Sequence, residues 1–208
     1  HQEIEDILVL KNNKGTDDNR VRKLDYSIQI SKLFYERFIK DEDITLFSPH
    51  ETPGLYEAFG MPEFDEMYEK YERKTSISKK KIRAQELFMN LLKERAETGR
   101  IYIMNIDHCN THSSFKDKVY MSNLCQEITL PTTPVQHIDD EDGEIALCIL
   151  SAVNLGLIRD KDDLEELCDL SVRALDEIID YQEYPILAAK QSAQSRRSLG
   201  IGYIGLAA

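Results

Sequence analysis

The apolar residues of the chain follow two spacings, one typical of helices and one typical of strands. Apolar positions three or four residues apart predict an amphipathic helix around Ile30 to Phe38 and a second from Ala84 to Leu92, which follows Ser78 and closes at Gly99. A third helix is predicted after Asp160, because aspartate caps helix N-termini. Its apolar stripe comprises Leu164, Leu167, Val172, Leu175, Ile178 and Ile179.

Short apolar runs lie between these helices and predict strands. The predicted strands are Ile4 to Leu10, Ile44 to Phe47, Ile101 to Ile106, Leu124 to Leu130 and Ile145 to Leu150. Strands that alternate with helices indicate the α/β class. The pattern does not distinguish an open sheet from a barrel, and it contains neither an internal repeat nor a clear domain boundary.

The composition is that of a folded protein, with 41% hydrophobic and 31% charged residues. The formal net charge of −12 argues against nucleic acid as a partner, because binding to a phosphate backbone requires clustered lysine and arginine. No apolar run approaches the roughly 20 residues that span a bilayer, and the first residues do not resemble a signal peptide. We therefore expect a cytoplasmic protein without a membrane partner.

The four cysteines, Cys109, Cys125, Cys148 and Cys168, are scattered along the chain and include no C-x-x-C pair. This usage predicts reduced thiols and not a disulfide scaffold. Cys168 falls within the third predicted helix, where a small buried thiol is expected. The chain starts without methionine and stops in an apolar run, Leu199 to Ala208, so both ends are interpreted as cuts.

One short segment carries three chemically useful side chains at alternate positions: Asn123, Cys125 and Glu127. On an extended backbone, alternate side chains point to the same side, so an amide, a thiol and a carboxylate would share one surface. The spacing alone also fits a half-buried strand whose polar residues face solvent. The residues around the segment decide between these two interpretations.

Residues 122–128 read SNLCQEI, and they are followed by EIALC at 144–148 and SAVNLG at 151–156. Together these segments resemble the large (alpha, catalytic) subunit of ribonucleotide reductase. The resemblance is to the central part of the aerobic class I enzymes of enteric bacteria and their phages. Further matching segments are LVLKNNKG at 8–15, ITLFSPH at 44–50, TGRIYI at 98–103, DHCNTH at 107–112 and RSLGIGYIG at 197–205.

The resemblance implies roles for four residues. Cys125 corresponds to the cysteine that becomes a thiyl radical and abstracts the 3′-hydrogen of the ribonucleotide. Glu127 corresponds to the general base toward the 3′-hydroxyl, and Asn123 to the amide that hydrogen-bonds the substrate hydroxyls. Cys148 corresponds to one of two redox-active cysteines that act as the 2′-hydroxyl leaves as water, and its partner cysteine is expected upstream of this chain.

The resemblance also implies a fold. Residues 1–208 are expected to be the central part of the catalytic barrel domain, truncated at both ends. They would form most of one half, plus a little more, of a ten-stranded α/β barrel, with Cys125 on a loop that enters the barrel centre. Because other parts of the family's enzyme lie outside these residues, the chain alone is expected to be inactive.

The expected cofactors and partners follow from the same family. The segment itself is expected to bind no cofactor and no metal, whereas the complete enzyme needs a radical from a metal-containing small subunit and nucleoside triphosphate effectors. The expected substrate is a ribonucleoside diphosphate, and the expected reductant is thioredoxin or glutaredoxin. A second large subunit, or complementing chain segments, would complete the assembly.

Two other functions are compatible with the sequence. Adenosylcobalamin-dependent reductases share the N-x-C-x-E core, although the flanking segments favour the branch with a small subunit. A non-catalytic assembly module from a split gene is the second alternative. The joint presence of Asn123, Cys125, Glu127 and Cys148 argues against degeneration, but it does not argue against a split gene.

Three further motifs are expected to be structural. Gly200, Gly202 and Gly205 satisfy G-x-G-x-x-G, but a dinucleotide site requires a strand before the motif, and the preceding residues are of helical type. Residues Asp107 to His112 contain too few ligands for a zinc site and are expected to form a hydrogen-bonded turn. Residues His137 to Glu144 lack the ligand spacing of a calcium loop and predict a solvated turn.

Overall fold

The computed structural model describes residues 1–207, which fall into two compact units, His1–Thr129 and Leu130–Ala208. The helices and strands of the first unit are, in chain order, α1 (Ile4–Leu8), β1 (Ser27–Ile30), α2 (Lys32–Lys40), β2 (Asp43–Phe47), α3 (Leu55–Ala58), α4 (Phe64–Arg73), β3 (Lys79–Arg83), α5 (Ala84–Thr98), β4 (Tyr102–Asn105) and α6 (Ile106–Thr111). Those of the second unit are β5 (Ile149–Asn154), α7 (Lys161–Tyr181), α8 (Leu187–Arg196) and β6 (Leu199–Ile204). Within residues 1–207, no helix is long and apolar enough to cross a membrane.

The strands pair in three separate two-stranded sheets. β1 and β4 are parallel, β2 and β3 are antiparallel, and β5 and β6 are parallel. The predicted mixture of helices and strands is therefore confirmed. The residues that the structure describes do not form a closed barrel.

The three predicted helices are confirmed as α2, α5 and α7, and their ends follow the expected chemistry. The hydroxyl of Ser31 accepts a hydrogen bond from Phe34 N at the start of α2. Asp160 caps α7 through a 2.9 Å hydrogen bond that its carboxylate accepts from Asp163 N. Gly99 ends α5 in the left-handed conformation, with φ 65°.

Two of the predicted strands are confirmed in the first unit, as β2 and β4, whereas the strand predicted at Ile4 to Leu10 is wrong. These residues begin with helix α1, in which Ile4, Ile7 and Leu8 stand at positions i, i+3 and i+4. One helical face therefore carries all three side chains, and Leu8 is 2% exposed. Helical spacing over a short apolar run was the stronger signal here.

The strand predicted at Ile145 to Leu150 begins only at Ile149. The residues before it bond elsewhere: Glu144 forms an antiparallel bridge with Thr133, and Ile145 N donates to Ala188 O at 3.3 Å. The chain joins the parallel β5–β6 sheet only after these contacts. Cys148 consequently lies immediately before β5 and not within a strand.

Buried side chains fix strand β4, which carries part of the candidate site. Ile101 and Met104 are 0% and 2% exposed, and Ile106, at the start of α6, is 1% exposed. Val119 packs with Met104 and Ile106 in one cluster. Because these side chains hold the strand at both ends, the partly exposed Tyr102 between them has a fixed backbone position.

Candidate functional site

Residues 123–127 form a turn and not the extended strand that was predicted for Leu124 to Leu130. Gln126 N donates to Asn123 O at 3.2 Å, and Gln126 adopts a left-handed conformation with φ 66°. The side-chain oxygen of Asn123 accepts a 3.1 Å hydrogen bond from Ile128 N. Asparagine competes for backbone hydrogen bonds in this way, which explains why the apolar residues nearby do not form a strand.

The turn removes the extended backbone on which the shared surface of Asn123, Cys125 and Glu127 was predicted. All three residues are exposed. The Oδ1 atom of Asn123 is engaged within the turn, whereas no hydrogen bond of its Nδ2 atom occurs in the described part of the chain. The Glu127 carboxylate makes no hydrogen bond or ion pair with residues 1–207. That the three side chains act on one substrate stays a prediction.

The turn is attached to the β1–β4 sheet by two side-chain hydrogen bonds. The Cys125 thiol donates to the hydroxyl oxygen of Tyr102, with 3.7 Å between sulfur and oxygen. The Gln126 amide donates to the Ser27 hydroxyl at 2.9 Å. Ser27 and Tyr102 are direct partners in the parallel register, so one rung of the sheet holds two consecutive residues of the turn.

Charged residues surround this rung. Asp25 forms ion pairs with Lys11 and with Arg100, the second at 3.5 Å. The hydrogen bond from Lys11 holds the pKa of Asp25 below its usual value. The pKa of Tyr102 is raised, first by its hydrogen bond with Cys125 and further by the nearby charges, of which Arg100 alone acts in the opposite direction.

Sequence reasoning did not identify Ser27 or Tyr102 as site residues. Tyr102 lies in the TGRIYI segment, which was noted only as a family match. Its contact with Cys125 joins residues 23 positions apart, and no spacing rule relates the two. The signal that could have been used is the position of Tyr102 in a predicted strand, between the apolar residues Ile101 and Ile103.

Cys148 is half-buried in the second unit, where burial raises the pKa of its thiol. Gly200, on the neighbouring strand β6, allows the sulfur to approach the backbone. A Cβ atom at Gly200 would lie 3.1 Å from Cys148 Sγ and 2.5 Å from Leu150 Cδ2. The exposed end of Leu150 can move aside, so the contact with the half-buried Cys148 sulfur is the one that a larger side chain at position 200 would disturb.

We expect Gly200→Ala to lower the free energy of unfolding by about 1 kcal/mol, the lower end of the usual cost of an overpacked site, because Leu150 can move aside and only the Cys148 sulfur must shift. Gly202→Ala in the same strand is the matched control, because its Cβ would meet nothing closer than 3.8 Å. Urea unfolding of both variants measures the difference, and the alkylation rate of Cys148 shows whether its sulfur has moved. Equal stability of the two variants would contradict this account of Gly200.

The other two cysteines are Cys109, in the first unit, and Cys168, in the second unit. Cys109 is half-buried on α6, and burial raises the pKa of its thiol. Cys168 on α7 is exposed, so the expectation of a buried thiol is wrong: it lies on the helical face that carries Leu175 and Ile179, but residues 164–170 of that helix are all exposed. Among residues 1–207 there is no disulfide, and no group of three or more His, Cys, Asp or Glu side chains is placed to hold a metal ion.

The segment Asp107 to His112 has a structural role, although it forms helix α6 and not the predicted turn. The Asp107 carboxylate accepts a 2.7 Å hydrogen bond from Lys32 N, in the first turn of α2. Asn110 exchanges two hydrogen bonds with the backbone of Val119, at 2.9 and 3.0 Å. These bonds tie α6 to the segment that leads to the Cys125 turn.

The two remaining motifs of the second unit are also structural. In the acidic stretch, the Asp140 carboxylate accepts hydrogen bonds from Gln136 N and Asp142 N, at 2.8 and 2.9 Å, which builds the predicted turn. The glycines of the G-x-G-x-x-G motif fall in and just after β6, which follows helix α8. The helical interpretation of the residues before the motif is therefore confirmed.

The chain matches known proteins along its whole length. Residues 1–208 match the family model described as "Ribonucleotide reductase, barrel domain". The chain is 59% identical over 212 residues to ribonucleoside-diphosphate reductase subunit alpha of Buchnera aphidicola from Schizaphis graminum, and 58% identical over 212 residues to ribonucleoside-diphosphate reductase 1 subunit alpha of Escherichia coli K12. It is 46% identical over 216 residues to ribonucleoside-diphosphate reductase subunit alpha of phage T4. All of this chain is covered in each comparison, but it spans only 28% of each relative.

Proposed function

The chain belongs to the ribonucleotide reductase barrel-domain family, and on that premise we propose that it is a catalytic segment of a ribonucleoside-diphosphate reductase. The observation that carries this proposal is the turn at residues 123–127, which presents a thiol and an unpaired carboxylate two residues apart. The names of its relatives support a diphosphate substrate. The segment acts together with the rest of the large subunit.

In the proposed reaction, the sulfur of Cys125 carries the unpaired electron. The thiyl radical takes the hydrogen atom from C3′ of the substrate, which forms the S–H bond and leaves the radical on carbon. Glu127 accepts the proton of the 3′-hydroxyl as general base, and its exposed carboxylate has no competing partner within residues 1–207. Asn123 binds substrate hydroxyls through its amide, whose Nδ2 atom retains its donors.

Cys148 supplies reducing equivalents in the second half of the proposed reaction. As the 2′-hydroxyl leaves as water, two electrons come from a pair of thiols, which become a disulfide. Cys148 provides one sulfur, and the other comes from a cysteine of the large subunit outside residues 1–208. Thioredoxin or glutaredoxin then reduces the disulfide, which returns the pair to its thiol state.

The wider assembly is part of the same proposal. Residues 1–208 belong to the central part of the catalytic domain, a ten-stranded α/β barrel in which the Cys125 turn enters the centre. The three two-stranded sheets of the described residues would be joined in it by strands from elsewhere in the large subunit. A metal-containing small subunit generates the radical, and nucleoside triphosphates act as effectors on the large-subunit dimer.

A reconstitution assay tests the proposed function. The complete large subunit that contains residues 1–208 is mixed with its small subunit, a ribonucleoside diphosphate and reduced thioredoxin, and the deoxynucleotide is measured. We expect product with all components and none when the small subunit is omitted. Product formed without the small subunit but with adenosylcobalamin would contradict the proposed class, and no product under either condition would contradict the function.

A further inference from the structure

The contact between Cys125 and Tyr102 has no role in the function proposed so far. The thiol donates to the hydroxyl oxygen of Tyr102 across 3.7 Å, a normal distance for a hydrogen bond that involves sulfur. Cys125 is exposed, so packing does not hold its side chain in one orientation. The hydrogen bond to Tyr102 is therefore the contact that orients the Cys125 sulfur.

Backbone strain occurs on both sides of this contact. The structure describes four residues other than glycine with positive φ: Asp41, Ile101, Gln126 and Arg197. Asp41 and Arg197 are C-caps of α2 and α8, where the left-handed conformation is ordinary. Ile101 and Gln126 have no such explanation, and each is the direct chain neighbour of a residue in the contact.

Ile101 is the more unusual of the two, because a β-branched residue strongly disfavours its φ of 60°. Its side chain is fully buried, and its carbonyl oxygen accepts a hydrogen bond from the guanidinium of Arg95. These contacts hold the strained residue that leads into Tyr102. Strain of this kind persists only where the surroundings fix the backbone, and it is frequent at functional sites.

Gln126 is held in a similar way on the other side of the contact. Its amide donates to the Ser27 hydroxyl at 2.9 Å and to Asn123 O at 2.7 Å. Its Oε1 atom is buried and has no hydrogen-bond partner in the described structure. Two residues with strained backbones, Ile101 and Gln126, and one buried polar atom without a partner therefore lie next to the contact between Cys125 and Tyr102.

We propose that Tyr102 is a positioning residue for Cys125: the Tyr102 hydroxyl accepts the hydrogen bond of the resting thiol, and after the thiol has lost its hydrogen atom the same hydroxyl donates to the sulfur, which keeps one orientation. This inference rests on the proposed function, since orientation matters only if the sulfur reacts. A hydrogen atom is transferred over a short distance, so an unrestrained sulfur spends less time in the reactive geometry. Tyr102 acts through Cys125 and does not touch the substrate.

The raised pKa of Tyr102 gives a second readout of its contact with Cys125. Asp25 raises the pKa of Tyr102 and Arg100 lowers it, while the hydrogen bond with Cys125 is the largest cause of the raised value. Loss of the Cys125 side chain should then return the Tyr102 titration toward its usual range.

The first test compares Tyr102→Phe with Tyr120→Phe in the complete large subunit with its small subunit. Tyr120 is five residues before Cys125, and no hydrogen bond of its hydroxyl group is described. We expect Tyr102→Phe to lower kcat about 2- to 10-fold, the weight of one hydrogen bond, with KM unchanged. The control should match the wild type. An unchanged kcat would overturn the proposal, and so would a higher KM accompanied by a lower melting temperature.

The second test does not depend on turnover. In the same subunit carrying ¹³C-labelled tyrosine, the Tyr102 resonance, assigned by its loss in Tyr102→Phe, is followed through a pH titration. We expect Cys125→Ala to move its midpoint to lower pH and Cys168→Ala to leave it in place. No movement would overturn the proposal. If the midpoint moves but no deoxynucleotide is ever formed, the contact is real and it is the proposed function that fails.

Discussion

Replacement of Cys125 by serine in the complete reductase is expected to abolish deoxynucleotide formation. Serine has a similar size, and its hydroxyl can still donate to Tyr102, so the turn should keep its geometry. An alcohol O–H bond is much stronger than a thiol S–H bond, however, and serine cannot readily accept the radical. The measurement is steady-state reduction of a ribonucleoside diphosphate, with Cys168→Ser as the matched control because that thiol is also exposed.

Cys148→Ser should fail in a different way. The radical still forms on Cys125 and the 3′-hydrogen is still removed, but one of the two thiols that reduce the 2′ position is missing. The substrate should therefore decompose and inactivate the enzyme, a result visible as substrate loss without an equal yield of deoxynucleotide. Steady product formation by the Cys125→Ser enzyme would rule out the thiyl assignment, whatever the behaviour of Cys148→Ser.

The helices of this chain could be predicted because their signals are local. The stripe after Asp160 and the cap at Asp160 lie within one segment, and α7 confirms the helix and its cap, although only Leu175 and Ile179 of the stripe are buried. Strands gave weaker signals. β3 reads KKKIR and has four polar positions, so its sequence alone does not indicate a strand. It forms because the apolar strand β2 pairs with it across five residues, and such pairing between distant segments leaves no periodic pattern.

The sequence indicates which residues could carry the chemistry of the site, but it does not indicate how they are arranged in space. Side-chain types and family motifs propose roles for Asn123, Cys125, Glu127 and Cys148, and these roles stay predictions. The alternation of the first three was interpreted as a strand, which is wrong. The backbone follows the hydrogen bonds of the Asn123 side chain instead, and the turn includes a left-handed Gln126. Period-two spacing indicates a strand only when no side chain competes for the backbone. The contact with Tyr102 depends on tertiary structure and could not be predicted from spacing.

Glu127→Gln is expected to lower kcat by about 10² to 10⁴, the usual loss for a missing general base. Glutamine keeps the size of the side chain and its capacity to bind hydroxyl groups, so KM should change little. Only the capacity to accept the 3′-hydroxyl proton is removed. Glu127 makes no ion pair or hydrogen bond within residues 1–207, so the substitution should leave the melting temperature unchanged.

The stability measurement separates the catalytic role of Glu127 from a structural one. Glu141→Gln is the control. Glu141 is also exposed and has no proposed role, and its substitution removes the same charge from the chain. Both variants should have the melting temperature of the wild type, and only Glu127→Gln should have a lower kcat. If Glu127→Gln retained full kcat, the base would have to be another group, because a glutamine amide cannot accept the proton. The radical role of Cys125 would stand in that case, since it depends on the sulfur and not on the carboxylate.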